Sequence, residues 1–263
     1  MKWTAISEYI QEFIREKVSE AGAKGVVIGL SGGVDSTVTA HLAVKALSPE
    51  RVYGLILPEK GITSQRDIED ARMVAESLKI QYREINIGDI LECYKHSLEI
   101  YDPKNKLPTG NLKARIRMTV LYYHANSMNR LVAGTGNKTE LMVGYFTKYG
   151  DGGVDILPLG GLYKTDVYGL AEHLGVPDRI IRKTPTAGLW PGQTDEEEMG
   201  ITYRELDSIL KEIESGDDIY RISKITGFSL DMVEKVFKMV EESSHKRLLP
   251  PSAEIPDDLK EER

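Results

Sequence analysis

Residues 29 to 36, Gly-Leu-Ser-Gly-Gly-Val-Asp-Ser, constrain the fold more than any other stretch: they follow the apolar run Val26-Val27-Ile28 and lead into a helix-like segment. Ser31, Gly32 and Gly33 let the backbone turn tightly with its N–H groups pointing inward, and a helix expected from about Ser36 adds the positive end of its dipole. Together they make a socket for an anion, of pyrophosphate type, at the end of a strand. It is not a P-loop, because GxxxxGK[ST] needs a Lys after its second Gly and Val34-Asp35-Ser36 stands there. A carboxylate beside bound phosphate repels it unless a cation lies between. Asp35 therefore predicts a divalent metal, Mg²⁺, shared between carboxylate and phosphate oxygens. The competing account is a glycine-rich turn with no ligand, and the Ser31 and Asp35-Ser36 that flank the glycines argue against it.

Around this loop, strand-like runs alternate with helix-like ones. Ile6, Ile10, Phe13, Ile14 and Val18 recur at helical spacing, which predicts an amphipathic opening helix. Strands are expected at 26–30, 52–57, 82–87 and 130–133, with helices over 36–47, 65–78 and 111–127 between them. This βαβα rhythm predicts an α/β fold, a doubly wound parallel sheet with helices on both faces. Ligands in such sheets bind at the carboxyl ends of the strands, where the glycine loop and Gly134-Thr135-Gly136 both fall. Beyond residue 145 the pattern changes to Gly- and Pro-rich loops between short helices at 165–173, 203–213 and 230–242, a helical C-terminal part. One domain over 1–250 is expected, followed by a charged tail at 251–263.

A net charge of −7 argues against non-specific binding of nucleic acid, which clustered Lys and Arg would hold. The single cysteine, Cys93, allows no intrachain disulfide and no CxxC metal knuckle. Nothing resembles a signal peptide or an apolar run of about 18 residues or more, so a cytoplasmic protein without membrane attachment is expected. His41, His96, His124 and His173 lie in helix-like runs without metal-ligand spacing.

The segment Ser31–Ser36 resembles the SGGxDS loop of the N-type ATP pyrophosphatases, whose members adenylate a substrate and release pyrophosphate. Downstream the resemblance narrows. Gly134-Thr135-Gly136-Asn137-Lys138-Thr139-Glu140, followed by the run from Val143 through Phe146-Thr147-Lys148-Tyr149-Gly150-Asp151-Gly152-Gly153 to Leu159, is similar to the ammonia-dependent NAD synthetase family, with its pattern GT…E and GFFTKYGDGGxDxxPL. Similar blocks continue at 161–164, 183–187, 194–201 and 245–247, so the likeness covers nearly the whole chain. It implies a two-step reaction on deamido-NAD: the nicotinate carboxylate attacks the α-phosphorus of ATP, and ammonia then displaces AMP to give NAD. A homodimer is implied as well.

Carried over position by position, the resemblance assigns Gly29, Leu30, Ser31, Gly32, Gly33, Val34, Asp35, Ser36, Gln65, Thr135, Lys164 and Thr186 to ATP. It gives Asp35, Glu140 and the carbonyl of Thr135 to the magnesium ion. Arg115, Tyr122, Leu131, Lys148, Asp155, His245 and Lys246 match deamido-NAD positions. Asp35, Lys164 and Asp151 are the expected catalytic set, with Asp151 binding ammonium or taking its proton. Arg117 falls on another face of the turn that carries Arg115, where a plain amphipathic helix competes with a functional role.

Three departures stand out. Leu107-Pro108 replaces an aromatic residue frequent before the arginine helix, Gly-Asn-Lys-Thr replaces Asp-His-Ala-Ala ahead of Glu140, and the loop from Ala187 to Gln193 is slightly short. Amide transfer from glutamine would need a second domain with a nucleophilic cysteine, so free ammonia is the expected nitrogen source, with a separate glutaminase subunit left open. The runners-up are another enzyme of the same loop family, a GMP synthetase core or a tRNA-thiolating enzyme, and a non-catalytic nucleotide-binding module. One cysteine is too few for the thiolating type, and a non-catalytic module predicts loss of Asp35, Glu140, Lys164 or Thr186, all of which are present.

Overall fold

The structure is a computed structural model that describes residues 1–259. The last four positions of the expected tail lie outside the described residues. The sheet is parallel and four-stranded, in the order β3-β2-β1-β4, with β1 at Val26–Gly29, β2 at Val52–Ile56, β3 at Gln81–Glu84 and β4 at Leu131–Ala133. Val26 pairs with Val52 on one side and with Leu131 on the other. Side chains of a strand alternate between faces, and here both faces are apolar. Val26 and Ile28 enter one core with Val52 and Ile56, while Val27 enters the other with Leu55 and Val132.

Helices cover both faces. On the first pack α1 (Trp3–Glu20), α2 (Val34–Leu47), α3 (Gln65–Ser77) and the later α7 (Lys164–His173); on the second pack α4 (Gly88–Ser97) and α5 (Lys106–Met128). The remaining helices are α6 (Lys138–Val143), α8 (Asp178–Ile181), α9 (Asp195–Met199), α10 (Tyr203–Glu214), α11 (Ile219–Thr226) and α12 (Leu230–Glu242). Of these, α6 and α9 to α12 build a third core around Leu206, Ile209, Leu210, Ile222 and Val236, the expected helical C-terminal part.

Strand order fixes where a ligand enters. The chain runs outward from β1 to β2 and β3, then returns to β4 on the other side of β1. The loops after β1 and β4 therefore leave in opposite directions and open a crevice at the carboxyl ends of those strands. Asp35 follows β1 and Glu140 follows β4.

Several boundaries differ from the sequence reading. Helix α2 starts at Val34 instead of Ser36, because Gly33 serves as its N-cap. Helix α5 starts at Lys106 rather than 111; Pro108 is tolerated because first-turn N–H groups have no intrahelical partner. Strand β3 ends at Glu84 rather than 87, where Asn86 Oδ1 accepts the N–H of Gly88 at 3.0 Å and turns the chain into α4, the helix-like run that holds His96. The short α6, α8, α9 and α11 carry too few turns for their periodicity to register.

On α2, His41 Nδ1 lies 2.8 Å from the carbonyl of Thr37, which can only accept, so the ring is held as the Nδ1–H tautomer. Burial holds its pKa below the usual imidazole value, with Lys45 adding to the effect. The unfolded chain thus takes the proton first on acidification, and stability falls as pH drops below about 6.5 until the folded ring also titrates. Urea midpoints at neutral and mildly acid pH should therefore differ less for His41→Gln than for the wild type; equal differences contradict this account.

Candidate active site

The glycine loop is held by its own hydroxyls. Ser31 Oγ and Ser36 Oγ are 3.0 Å apart, Gly33 N donates to Ser31 Oγ at 3.2 Å, and Thr37 Oγ1 donates to the carbonyl of Gly33 at 2.8 Å. Gly32 has φ +74°, and a Cβ there would lie 2.4 Å from the carbonyl oxygen of Asp67, so no other residue fits. Leu30 and Val34 turn their side chains into the core. Whatever they offer a nucleotide, they offer through the backbone.

Opposite the loop, the two carboxylates meet at one ammonium. Lys164 Nζ lies 2.5 Å from Asp35 Oδ2 and 3.5 Å from Glu140 Oε1, with the lysine side chain 3% exposed and both carboxylates 18% exposed. Asn137 Nδ2 donates to Asp35 Oδ1 at 3.0 Å, while Asn137 Oδ1 accepts the N–H of Glu140 at 3.1 Å in a capping box. The departure at Gly-Asn-Lys-Thr thus supplies a cap and a second tie to Asp35. Burial and the neighbouring Asp35 raise the Glu140 pKa despite Lys164. For Lys164, burial works against the charged form, but Asp35 and Glu140 prevail and raise it.

Two carboxylates facing a single cation leave the pair short of positive charge, which suits an added divalent ion. Among the described residues no group of three or more His, Cys, Asp or Glu could cage a metal. Two carboxylates suit the donor set of a Mg²⁺ ion, which takes one or two of them and fills the rest of its shell with phosphate oxygens and water.

A cavity of about 60 Å³ lies next to this pair, lined among others by Thr135, Glu140, Phe146 and Asp151. Asp151 Oδ1 accepts the N–H of Thr147 at 2.9 Å. The residue is open to solvent, yet the protein packed around its carboxyl raises its pKa.

The helical part supports the pair from behind. Asp207 of α10, 1% exposed, accepts from Thr139 Oγ1 at 2.5 Å and from Thr165 N at 2.8 Å; Thr139 Oγ1 in turn accepts the N–H of Lys164 at 2.9 Å. One carboxylate thereby ties the start of α7 to the residue before Glu140. The Tyr203 hydroxyl stands 3.0 Å from Asp195 Oδ2 and 3.4 Å from Glu140 Oε1. None of Asn137, Asp207, Tyr203 and Asp195 was singled out from the sequence. Asn137 carries a readable signal, the N-x-x-E cap spacing; the others do not, because only folding brings them near.

Lys183 likewise has no role that its own stretch of sequence reveals. Its Nζ donates to the Gly32 carbonyl at 2.7 Å and to Asp67 Oδ1 at 2.8 Å, and pairs with the buried Asp70 at 2.6 Å. It fastens the glycine loop to α3 and to the segment carrying Thr186, which is exposed beside it. Gln65, the first residue of α3, is exposed, and its side chain donates to Glu69 Oε1 at 3.1 Å. The loop before α9 lies on α5: Lys113 donates to the carbonyl of Leu189 at 2.7 Å and pairs with Glu59 at 2.8 Å.

The residues matched to deamido-NAD form two groups. Arg115 donates to the Lys148 carbonyl at 3.2 Å, Lys148 to the His245 carbonyl at 2.6 Å, and Lys246 to the carbonyls of Gly144 and Phe146 at 2.6 and 2.8 Å. The second group sits nearer the start of β4, where Tyr122 donates to Asp155 Oδ1 at 3.0 Å and Asp155 Oδ2 accepts the N–H of Val132 at 2.7 Å, next to Leu131. Neither group touches Asp35. Arg117 turns the other way, donates to the Leu57 carbonyl at 3.0 Å and lies in the field of Glu59 and Asp151; burial lowers its pKa.

A parallel α/β sheet with a glycine loop, two carboxylates and a buried lysine at its switch point defines a nucleotide-handling enzyme. Residues 6–250 match the NAD synthase family. The chain belongs to that family, and with it to the ATP-binding ligases. It is 57% identical over 260 residues to the NH(3)-dependent NAD(+) synthetase of Archaeoglobus fulgidus, an alignment covering 98% of this chain and 99% of that one. Among solved structures it is similar to an NMN synthetase from Francisella tularensis (TM-score 0.86, 38% identity, 97% of this chain and 100% of that one). It is also similar to an NH3-dependent NAD synthetase from Campylobacter jejuni in complex with nitrate (TM-score 0.81, 32% identity, 97% and 100% covered).

Because Asp207 satisfies two buried donors at once, Asp207→Ala should lower unfolding stability by about 2–3 kcal/mol and reduce turnover as well. Urea melts alongside steady-state rates check this. An unchanged melt would mean the tie carries no weight.

Proposed function

We propose that this chain amidates deamido-NAD with ammonia, consuming ATP and yielding NAD, AMP and pyrophosphate. The observation that carries the reading is the convergence of Asp35, Glu140 and Lys164 opposite the glycine loop. In the first step a nicotinate carboxylate oxygen attacks the α-phosphorus, the bond to the bridging oxygen breaks, and the electron pair leaves with pyrophosphate. The glycine loop's N–H groups and Lys164 stabilise the charge that gathers on the leaving oxygens, preorganised so that little rearrangement accompanies the reaction. Asp35 and Glu140, with the Thr135 carbonyl, would hold Mg²⁺, which when bound supplies further positive charge to the phosphates.

In the second step the nitrogen lone pair attacks the acyl carbon and AMP departs with the electrons of the acyl–oxygen bond. Two protons are lost between ammonium and amide, and Asp151 accepts the first. Its raised pKa makes it a better base than an ordinary carboxylate. That it lines one cavity with Thr135 and Glu140 supports this role.

The two groups around Arg115 and Tyr122 serve the dinucleotide, which is long enough to reach both. Tyr122 lies seven residues beyond Arg115 on the same stripe of α5, roughly 10 Å along its axis. A homodimer in which this surface is shared, a cytoplasmic location and free ammonia as the nitrogen source complete the proposal. Among the described residues no helix is long and apolar enough to cross a membrane.

A second reading, with a mononucleotide as acceptor, draws on the likeness to the NMN synthetase. The curated relatives at 46% identity and above, which carry the name NH(3)-dependent NAD(+) synthetase, favour the dinucleotide. Purified protein given ATP, Mg²⁺, ammonium and either deamido-NAD or nicotinate mononucleotide should turn over the dinucleotide faster and release AMP and pyrophosphate. ADP as product, preference for the mononucleotide, or efficient use of glutamine by the chain alone would each overturn part of the proposal. Asp35→Ala should abolish adenylation. Asp151→Asn should slow amidation by about a hundredfold or more while sparing adenylate formation; equal loss of both steps would remove Asp151 from its role.

A further inference from the structure

A cavity of about 530 Å³ opens beside the glycine loop, between the start of α3 and the segment that follows α8. Lys183 and Thr186 line it, and Lys183 also holds the carbonyl of Gly32, so the cavity begins where the loop ends. Four cations, Arg66, Arg179, Arg182 and Lys183, line it in a chain of net charge −7. Two of them are committed: Lys183 to Gly32, Asp67 and Asp70, and Arg179 to Asp70 at 3.0 Å.

The other two are not. The Arg66 guanidinium makes no hydrogen bond or ion pair among the described residues. Arg182 pairs only with Asp178, one turn back, at 3.2 Å, and both side chains are about four-fifths exposed. Such a pair contributes little and yields readily to a stronger acceptor. A guanidinium presents a planar fork of donors that matches two phosphate oxygens. Asp67, the acidic wall nearest the loop, is neutralised by Lys183 and so does little to repel an anion.

We propose that this cavity is an exit chamber for inorganic pyrophosphate, in which Arg66 and Arg182 receive the leaving group as it clears the glycine loop. The proposal rests on the adenylation reading of the site. It accounts for Arg66 and Arg182, which line the cavity beside Lys183 and Thr186. Formation of an acyl-adenylate is reversible, so a path that draws pyrophosphate off the loop carries the first step forward. Exposed, water-screened arginines then let the product go.

Calorimetric titration of the wild type and of Arg66→Ala/Arg182→Ala with inorganic pyrophosphate and Mg²⁺, paired with AMP titrations, tests this. The dissociation constant for pyrophosphate and its constant as a product inhibitor of the full reaction should both rise about tenfold or more, with AMP binding unchanged. Arg66→Lys/Arg182→Lys should recover part of the loss. Unchanged pyrophosphate binding, or equal weakening of AMP and pyrophosphate, would overturn the chamber. Binding weakened without any change in product inhibition would point to an outside oligophosphate as the occupant and overturn it too. A wild type that releases no pyrophosphate in turnover contradicts the adenylation reading itself, an outcome distinct from all of these.

Discussion

The ion cluster of Asp35, Lys164 and Glu140 is the constraint on which the rest of the structure depends. Its members come from the starts of three helices, α2, α6 and α7, the first two placed by adjacent strands. A lysine removed from water is expensive to bury unless good partners surround it, and removing a partner from such a pair typically costs about 3–5 kcal/mol. Here the partners are the two carboxylates proposed to hold the magnesium ion. The attraction that folds the sheet edge to the C-terminal helices is also what assembles the site.

The second half of the chain is more than a cover for the sheet. Asp207, Tyr203 and Asp195 come from the helical part and set the positions of Lys164 and Glu140 through Thr139 and a shared hydroxyl. Lys183 does the corresponding work for the glycine loop. Each is a polar side chain whose buried bonds would be costly to leave unmade, so the site is rigid where phosphates would lie. Around Arg115, where part of the dinucleotide would lie, the contacts are lysine and arginine bonds to backbone carbonyls.

Much of this was legible in the sequence. Alternating apolar runs fixed the parallel sheet, and the glycine loop with Asp35 located its working edge, because both signals are local. Glu140, Lys164 and Asp151 take their proposed roles from family resemblance alone, since nothing in their own stretches of sequence separates them from surface residues. The supporting residues stayed hidden for a physical reason. Asp207 lies 43 positions from Lys164, and Lys183 lies 151 from Gly32. Their partners are chosen by packing, and no periodicity records it. Leu30 and Val34 show the converse: the loop pattern includes them, yet their side chains belong to the core.

In the proposed reaction this edge cleaves ATP between its α and β phosphates before ammonia takes part. Exchange of labelled pyrophosphate into ATP measures that step alone. With Mg²⁺, ATP and deamido-NAD present and ammonia absent, the wild type should catalyse exchange, and Glu140→Gln should lose it. Amide formation by a protein that shows no such exchange, or exchange that proceeds without deamido-NAD, would contradict the account.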